Sequence, residues 1–147
     1  MWKAWTELES LSKWWGPKGF AWIAGTLDLK PGGRFHYGMR SPIGDEMWGK
    51  FDYREIESPH RLVFTNSFSD KDGKTVRAPF AADWPLHVLN VLTLAENGGW
   101  TALTLRGSPV NATDAEGARF KAMRASVQQG FGGTFEQLEK FLARQRG

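Results

Sequence analysis

Between Asp28 and Asp70 short aromatic-rich runs alternate with turn residues, and the runs are too short for helices. Pro31-Gly32-Gly33 separates Phe20 to Lys30 from Arg34 to Ser41, while Ser41-Pro42-Ile43-Gly44-Asp45 and Ser58-Pro59-His60 mark the next two junctions. The pattern is that of a tight antiparallel meander. From Gly19 to Gly107 the apolar period is two: Phe20/Trp22/Ala24, Phe35/Tyr37/Met39, Leu62/Phe64/Asn66/Phe68, Leu86/Val88/Asn90/Leu92/Leu94 and Thr101/Leu103/Leu105. With Met47 to Ile56 these runs predict six strands. Asp70 to Lys74 reads as a polar turn, and Asn97-Gly98-Gly99 as a hairpin between the last two strands.

Helical periodicity brackets this region. Trp2 to Trp15 reads as two short pieces broken at Thr6-Glu7, with Thr6 capping the second piece, Glu9 as its reciprocal carboxylate and Gly16-Pro17 as the stop. Near the C-terminus Thr113 is a candidate N-cap with Glu116 as its capping-box partner. Phe120, Met123, Val127, Phe131, Phe135, Leu138 and Leu142 follow at spacings of three or four, which predicts one long helix from Thr113 to Arg144 with a buried face. Gly130, Gly132 and Gly133 within it each cost about 1 kcal/mol relative to Ala. Close backbone approach, a bend, or space for a ligand would account for them.

The chain of 147 residues suits a single domain spanning residues 1–147. It has no cysteine, which excludes disulfides, a thiolate nucleophile and Cys-based zinc sites. The net charge of +3 is spread among acidic neighbours except at Lys140 to Arg146, a pattern of a solvated helix end rather than a nucleic-acid surface. No apolar stretch is long enough to span a bilayer and no secretory signal is evident, so a cytoplasmic protein is expected. His36, His60 and His87 fall in different elements without metal-ligand spacing, so neither a metal nor a cofactor is expected. No serine stands in a nucleophile-elbow context, and no glycine pair matches a phosphate-binding fingerprint. Asp45, Glu46, Asp52, Glu55 and Glu57 read as the solvated face of a sheet, not as an acid–base pair.

Several segments together resemble bacterial START-like (SRPBCC) proteins of the branch named after the activator of the heat-shock-protein-90 ATPase. They are Ala4-Trp5-Thr6, Trp14-Trp15-Gly16-Pro17, Pro31-Gly32-Gly33, Trp84-Pro85 and Gly130-Phe131-Gly132-Gly133. Gly49 to Thr65 matches the family's G-x-x-x-E-I-x-P-x-R-L-V-F-T strand pair, except that three residues rather than two separate Gly49 from Tyr53-Arg54-Glu55-Ile56. The resemblance implies an α+β helix-grip fold: an antiparallel sheet of about six strands curved around a long C-terminal helix. Relatives begin with a further strand beside the segment matching Trp100 to Arg106. Here that first strand is absent, so a chain short at its N-terminus is expected, with about 15 residues encoded upstream of Met1 and either a homodimer joined at or near the Trp100–Arg106 edge or, in a monomer, a poorly ordered N-terminal helix and low stability.

The family commonly encloses an apolar cavity between sheet and helix, which implies reversible binding of a small hydrophobic or aromatic molecule such as a lipid. The expected lining is Phe35, Tyr37, Met39, Phe64, Phe68, Asn90, Leu92, Leu103, Met123, Val127 and Phe131, with Trp14, Trp15 and Trp84 at the entrance. Ring burial would give affinity, and Asn90 and Tyr37 orientation. Asn90 is the polar residue in phase with Val88 and Leu92, so its amide needs a neighbour or a ligand as partner. Two other classes stay open. A chaperone-linked interaction module would need a contiguous exposed apolar patch, and a cyclase- or hydrolase-like enzyme would need two or more titratable groups in the pocket.

Overall fold

The computed structural model describes residues 2–16, 19–78, 83–97 and 100–146. Two short helices, α1 (Trp2–Thr6) and α2 (Leu8–Trp14), precede strands β1 (Ala21–Leu27), β2 (Arg34–Arg40), β3 (Glu46–Glu57), β4 (Arg61–Ser69), β5 (Val88–Asn97) and β6 (Trp100–Pro109). Helices α3 (Asp114–Ala122) and α4 (Arg124–Arg146) follow. The strands form one antiparallel sheet in sequence order, with β1 and β6 at its edges. The expected α+β helix-grip architecture is therefore present. Gly32 adopts φ +85° in the turn ahead of β2, a conformation that costs glycine little. The predicted Asn97-Gly98-Gly99 hairpin lies partly outside the described residues, although Asn97 pairs with Trp100 across it.

Register decides which side chains share the concave face. Phe35 pairs with Phe51 and Tyr37 with Gly49; Phe64 lies opposite both Tyr53 and Asn90; Leu92 lies opposite Leu62 and Leu105. One half of this face is filled. Trp5, Leu11 and Trp14 from the N-terminal helices and Leu138 and Phe141 from α4 join Phe35, Phe51, Phe64, Leu62 and Leu92 in one buried cluster. Its rings interlock, with Phe51 stacked on Phe64 at 4.2 Å and Trp5 edge-on to Trp14 at 4.7 Å. The Trp14 indole N–H donates to Ala4 O at 2.8 Å, so this tryptophan is part of the core and not of an entrance.

The opposite face carries polar side chains covered by the β4–β5 connection. Lys50, in register with His36 on β2 and Ser67 on β4, is buried and donates from Nζ to Gly73 O at 3.0 Å. Burial holds its pKa below the usual lysine range, with Asp52 opposing the shift. A His36 ring nitrogen lies 3.1 Å from Asp70 O, and Ser67 Oγ lies 2.8 Å from His87 Nδ1. These bonds tie the connection to the sheet. The crowded carboxylates of β3 meet arginines on the surface: Asp52 with Arg34, Glu46 with Arg40, and Glu55 and Glu57 with Arg61.

Three local expectations need correction. The Thr6 hydroxyl donates back to Trp2 O within α1, while Glu7 precedes α2 without a side-chain cap, so the capping pair Thr6/Glu9 does not form. The C-terminal segment is two helices, because Met123 leaves the helical region at φ −94° and ψ 6°. Neither Gly nor Pro stands there; what sets α3 apart is its tertiary ties to the β4–β5 connection, described below. Gly132 is exposed, and nothing lies near the place a Cβ would take, so close approach is not its reason. The Thr113–Glu116 capping box is present in both directions, at 2.9 and 3.1 Å.

Thr113→Ala should lower stability by about 1 kcal/mol through loss of this cap, and Phe64→Ala by about 3–5 kcal/mol through a cavity in the filled half. Urea unfolding followed by far-UV circular dichroism measures both. A loss below about 1 kcal/mol for Phe64→Ala would show that this half is not tightly packed.

Candidate functional site

The other half of the concave face is hollow. A cavity of about 710 Å³ lies between the sheet and the first half of α4, and its wall also takes in Phe120 of α3 and Trp84 of the β4–β5 connection. The sheet contributes Tyr37, Met39, Met47, Asn66, Phe68, Val88, Asn90, Leu105 and Gly107 from the concave strand phase. Trp48, Ser67 and Arg106 border it from the opposite phase. Arg124, Val127, Gln128, Phe131 and Thr134 recur at helical spacing, so one stripe of α4 faces the space.

Two close approaches shape the wall. Gly49 stands opposite Tyr37, and a Cβ there would sit 2.7 Å from the ring carbon bearing the hydroxyl, so glycine lets the tyrosine lie across β3. Gly16, at φ +114°, follows α2 directly beneath Met39, and a Cβ would stand 2.6 Å from the methionine methyl. The carbonyl of Gly16 accepts hydrogen bonds from Thr134 Oγ1 at 3.0 Å and Gln137 Nε2 at 2.7 Å. Thereby α4 grips the end of α2 and holds Trp15 in place. The Trp15 ring meets Tyr37 and Phe51 edge-on and Phe131 at a tilt, at 6.0, 5.0 and 6.4 Å.

The far side is fastened electrostatically. Arg77 Nη1 donates to Glu116 Oε2 and, at 3.3 Å, to Trp84 O; Arg119 Nε donates to Asp83 Oδ1 at 2.8 Å. The Trp84 and Phe120 rings lie 5.3 Å apart. The Thr113 backbone N–H, seconded by Arg77, holds the Glu116 carboxyl below the usual carboxylate range.

The titratable side chains on the wall are Tyr37, Arg106 and Arg124. Burial pushes the Tyr37 phenol up to about 12, so it stays protonated at neutral pH. Asn90 is buried; its Nδ2 donates to Val88 O at 3.2 Å, and no donor meets its Oδ1 among the described residues. A backbone neighbour on the same strand, Val88, is thus the partner of the Asn90 amide nitrogen. Among the described residues no group of three His, Asp or Glu side chains could hold a metal ion. Nor, among them, is any helix long and apolar enough to cross a membrane.

Trp15, Tyr37, Met39, Phe68, Trp84, Asn90, Val127 and Phe131 of the expected lining border the cavity. Trp14, Phe35, Phe64 and Leu92 do not: they share the concave side but fall in its filled half, at 0 to 2% exposure. Leu103 packs against the same core, and Met123 lies at the α3–α4 break, off the cavity stripe. Sequence reading missed the polar members Asn66, Arg124, Gln128 and Thr134, although alternation with Phe64 and Phe68 carried the signal for the first and spacing from Val127 and Phe131 for the others. Trp48, Ser67 and Arg106 carried none, since alternation turns them to the other face.

A curved antiparallel sheet gripping a C-terminal helix around a ring-walled space defines a START-like protein. The family model described as activator of Hsp90 ATPase homolog 1-like protein matches residues 1–143, and the chain belongs to this family. Solved structures agree. A Mycobacterium smegmatis protein shares 28% identity at TM-score 0.76, over 96% of this chain and 80% of its own. A Nitrosomonas europaea protein shares 26% at TM-score 0.75, over 99% and 86%. An AHSA1 protein from Silicibacter pomeroyi, 18% identical at TM-score 0.71 over 98% and 88%, shows the shared fold alone. No functionally curated protein matches the chain.

Because the folded pKa of Glu116 is depressed, its contribution is complete above the ordinary carboxylate pKa of about 4.3 and is lost as pH falls through the lower folded value. Hydrogen exchange of α3 amides, corrected for intrinsic pH dependence, should accelerate in that acid window. Glu116→Gln should show the same acceleration at neutral pH. Protection that is equal in both proteins would mean that the Arg77–Glu116 pair does not hold α3.

Proposed function

We propose that the protein reversibly binds a small hydrophobic or aromatic molecule in the cavity between the sheet and α4. The observation that carries this reading is a space of about 710 Å³, open to solvent on one side, walled by rings and methionines. The volume lies in the range of small-molecule sites. Apolar wall supplies affinity, and sparse polar groups such as Asn90 Oδ1 supply orientation. Burial keeps the Tyr37 phenol protonated at neutral pH, so it is a poor proton acceptor, which supports binding over acid–base catalysis by this residue. The family's name raises a chaperone-linked alternative. A partner face for it would draw on exposed apolar side chains, and among the described residues the large ones are Ile43 and Val76.

Phenylnaphthylamine, a neutral dye that brightens in apolar surroundings, should bind the folded protein, and Val127→Trp should abolish binding by filling the space. Met123→Trp, off the cavity stripe, should leave binding intact. Dye binding that survives Val127→Trp in a folded variant would place the dye elsewhere and defeat the reading.

A further inference from the structure

The cavity wall is apolar except at a few points, and its charged members are both cationic. Arg106 and Arg124 are there, and no aspartate or glutamate is among the described lining residues. Arg34, Arg40, Arg61, Arg77 and Arg119 each hold a carboxylate. Among the described residues Arg54, Arg106, Arg124 and Arg144 hold none, and of these Arg106 and Arg124 border the cavity. Among the described residues no ion pair or hydrogen bond engages the Arg124 guanidinium, and the position of Arg124 on α4 is one helical turn from both Val127 and Gln128, on the stripe that faces the cavity. Arg106 borders the same space from β6, but Leu105 and Gly107 occupy the concave phase, so alternation turns the Arg106 side chain to the other face.

We propose, on the basis of the cavity-binding reading above, that the natural ligand is an amphipathic anion. Its apolar body lies against Trp15, Tyr37, Met39 and Phe131, and its acid group meets Arg124. A guanidinium presents a planar fork of donors that matches a carboxylate, sulfonate or phosphate, and it is less strongly hydrated than an ammonium. Arg124 is exposed at the rim of the space, so the pair forms where solvent still screens it and contributes modestly. Gln128 adds amide donors one turn along the same stripe. A neutral ligand would leave the cation in water and gain nothing from it, so Arg124 sets the preference for charge while the rings set affinity for the body. The space of about 710 Å³ suits a single-chain or bicyclic acid free in solution; a two-chain membrane lipid exceeds it.

Two dyes separate these claims. Anilinonaphthalene sulfonate and phenylnaphthylamine share an aromatic body, and the sulfonate is the principal difference between them. The full chain should bind the sulfonate up to roughly tenfold more tightly than the amine, the worth of one charge-assisted contact from an exposed guanidinium. Arg124→Gln should erase this preference without changing amine binding, and Arg106→Gln should keep it. Dodecanoate should displace the amine dye from the parent protein more effectively than dodecanol does, and the advantage should vanish in Arg124→Gln. Amine binding with no sulfonate preference, or a preference that survives Arg124→Gln, overturns the anion assignment and leaves the cavity reading standing. Failure of both dyes to bind overturns both. Binding of the sulfonate only to vesicles carrying the protein, and not to the free protein, also overturns it.

Discussion

Aromatic side chains cannot be compressed, and in this molecule one group of them fills one end of the space between sheet and helix. Trp5, Trp14, Phe51 and Phe64, closed from the other side by Leu138 and Phe141, form a wedge under the second half of α4. The wedge fixes how near that helix can come to the sheet. Its first half, carried on the same rigid rod, then stands over strands whose side chains do not reach it. Gln137 and Thr134 complete the arrangement by anchoring the end of α2 to the middle of α4, where filled and hollow halves meet.

This zoning explains what was legible in the sequence. Strand phase was readable because turn residues bound each run, and the capping box announced α3 because Thr113 and Glu116 stand at the required spacing. Tyr37, Met39, Phe68 and Asn90 followed from alternation alone. Phe35, Phe64 and Leu92 obey the same alternation and are nevertheless core. Period two gives the face of a sheet, not the distance along it at which a helix stops touching it. Met123 fits the same spacing but sits at the break between α3 and α4, and α3 is tied down by the long-range pairs Arg77 with Glu116 and Arg119 with Asp83, which no local pattern announces.

Membership in a family settles architecture more than chemistry. Relatives at 28% and 26% identity share the fold, while the polar residues on the cavity wall are few. Asn90, Gln128 and Arg124 are such residues here.

The central claim is that the hollow half of the fold receives a ligand. Its most direct test is nuclear magnetic resonance of the isotopically labelled protein saturated with phenylnaphthylamine. Intermolecular nuclear Overhauser effects should connect the dye to the side chains of Tyr37, Met39, Val127 and Phe131 on opposing walls. Effects confined to exposed residues such as Ile43 and Val76, with cavity resonances unmoved in a folded protein, would contradict the account.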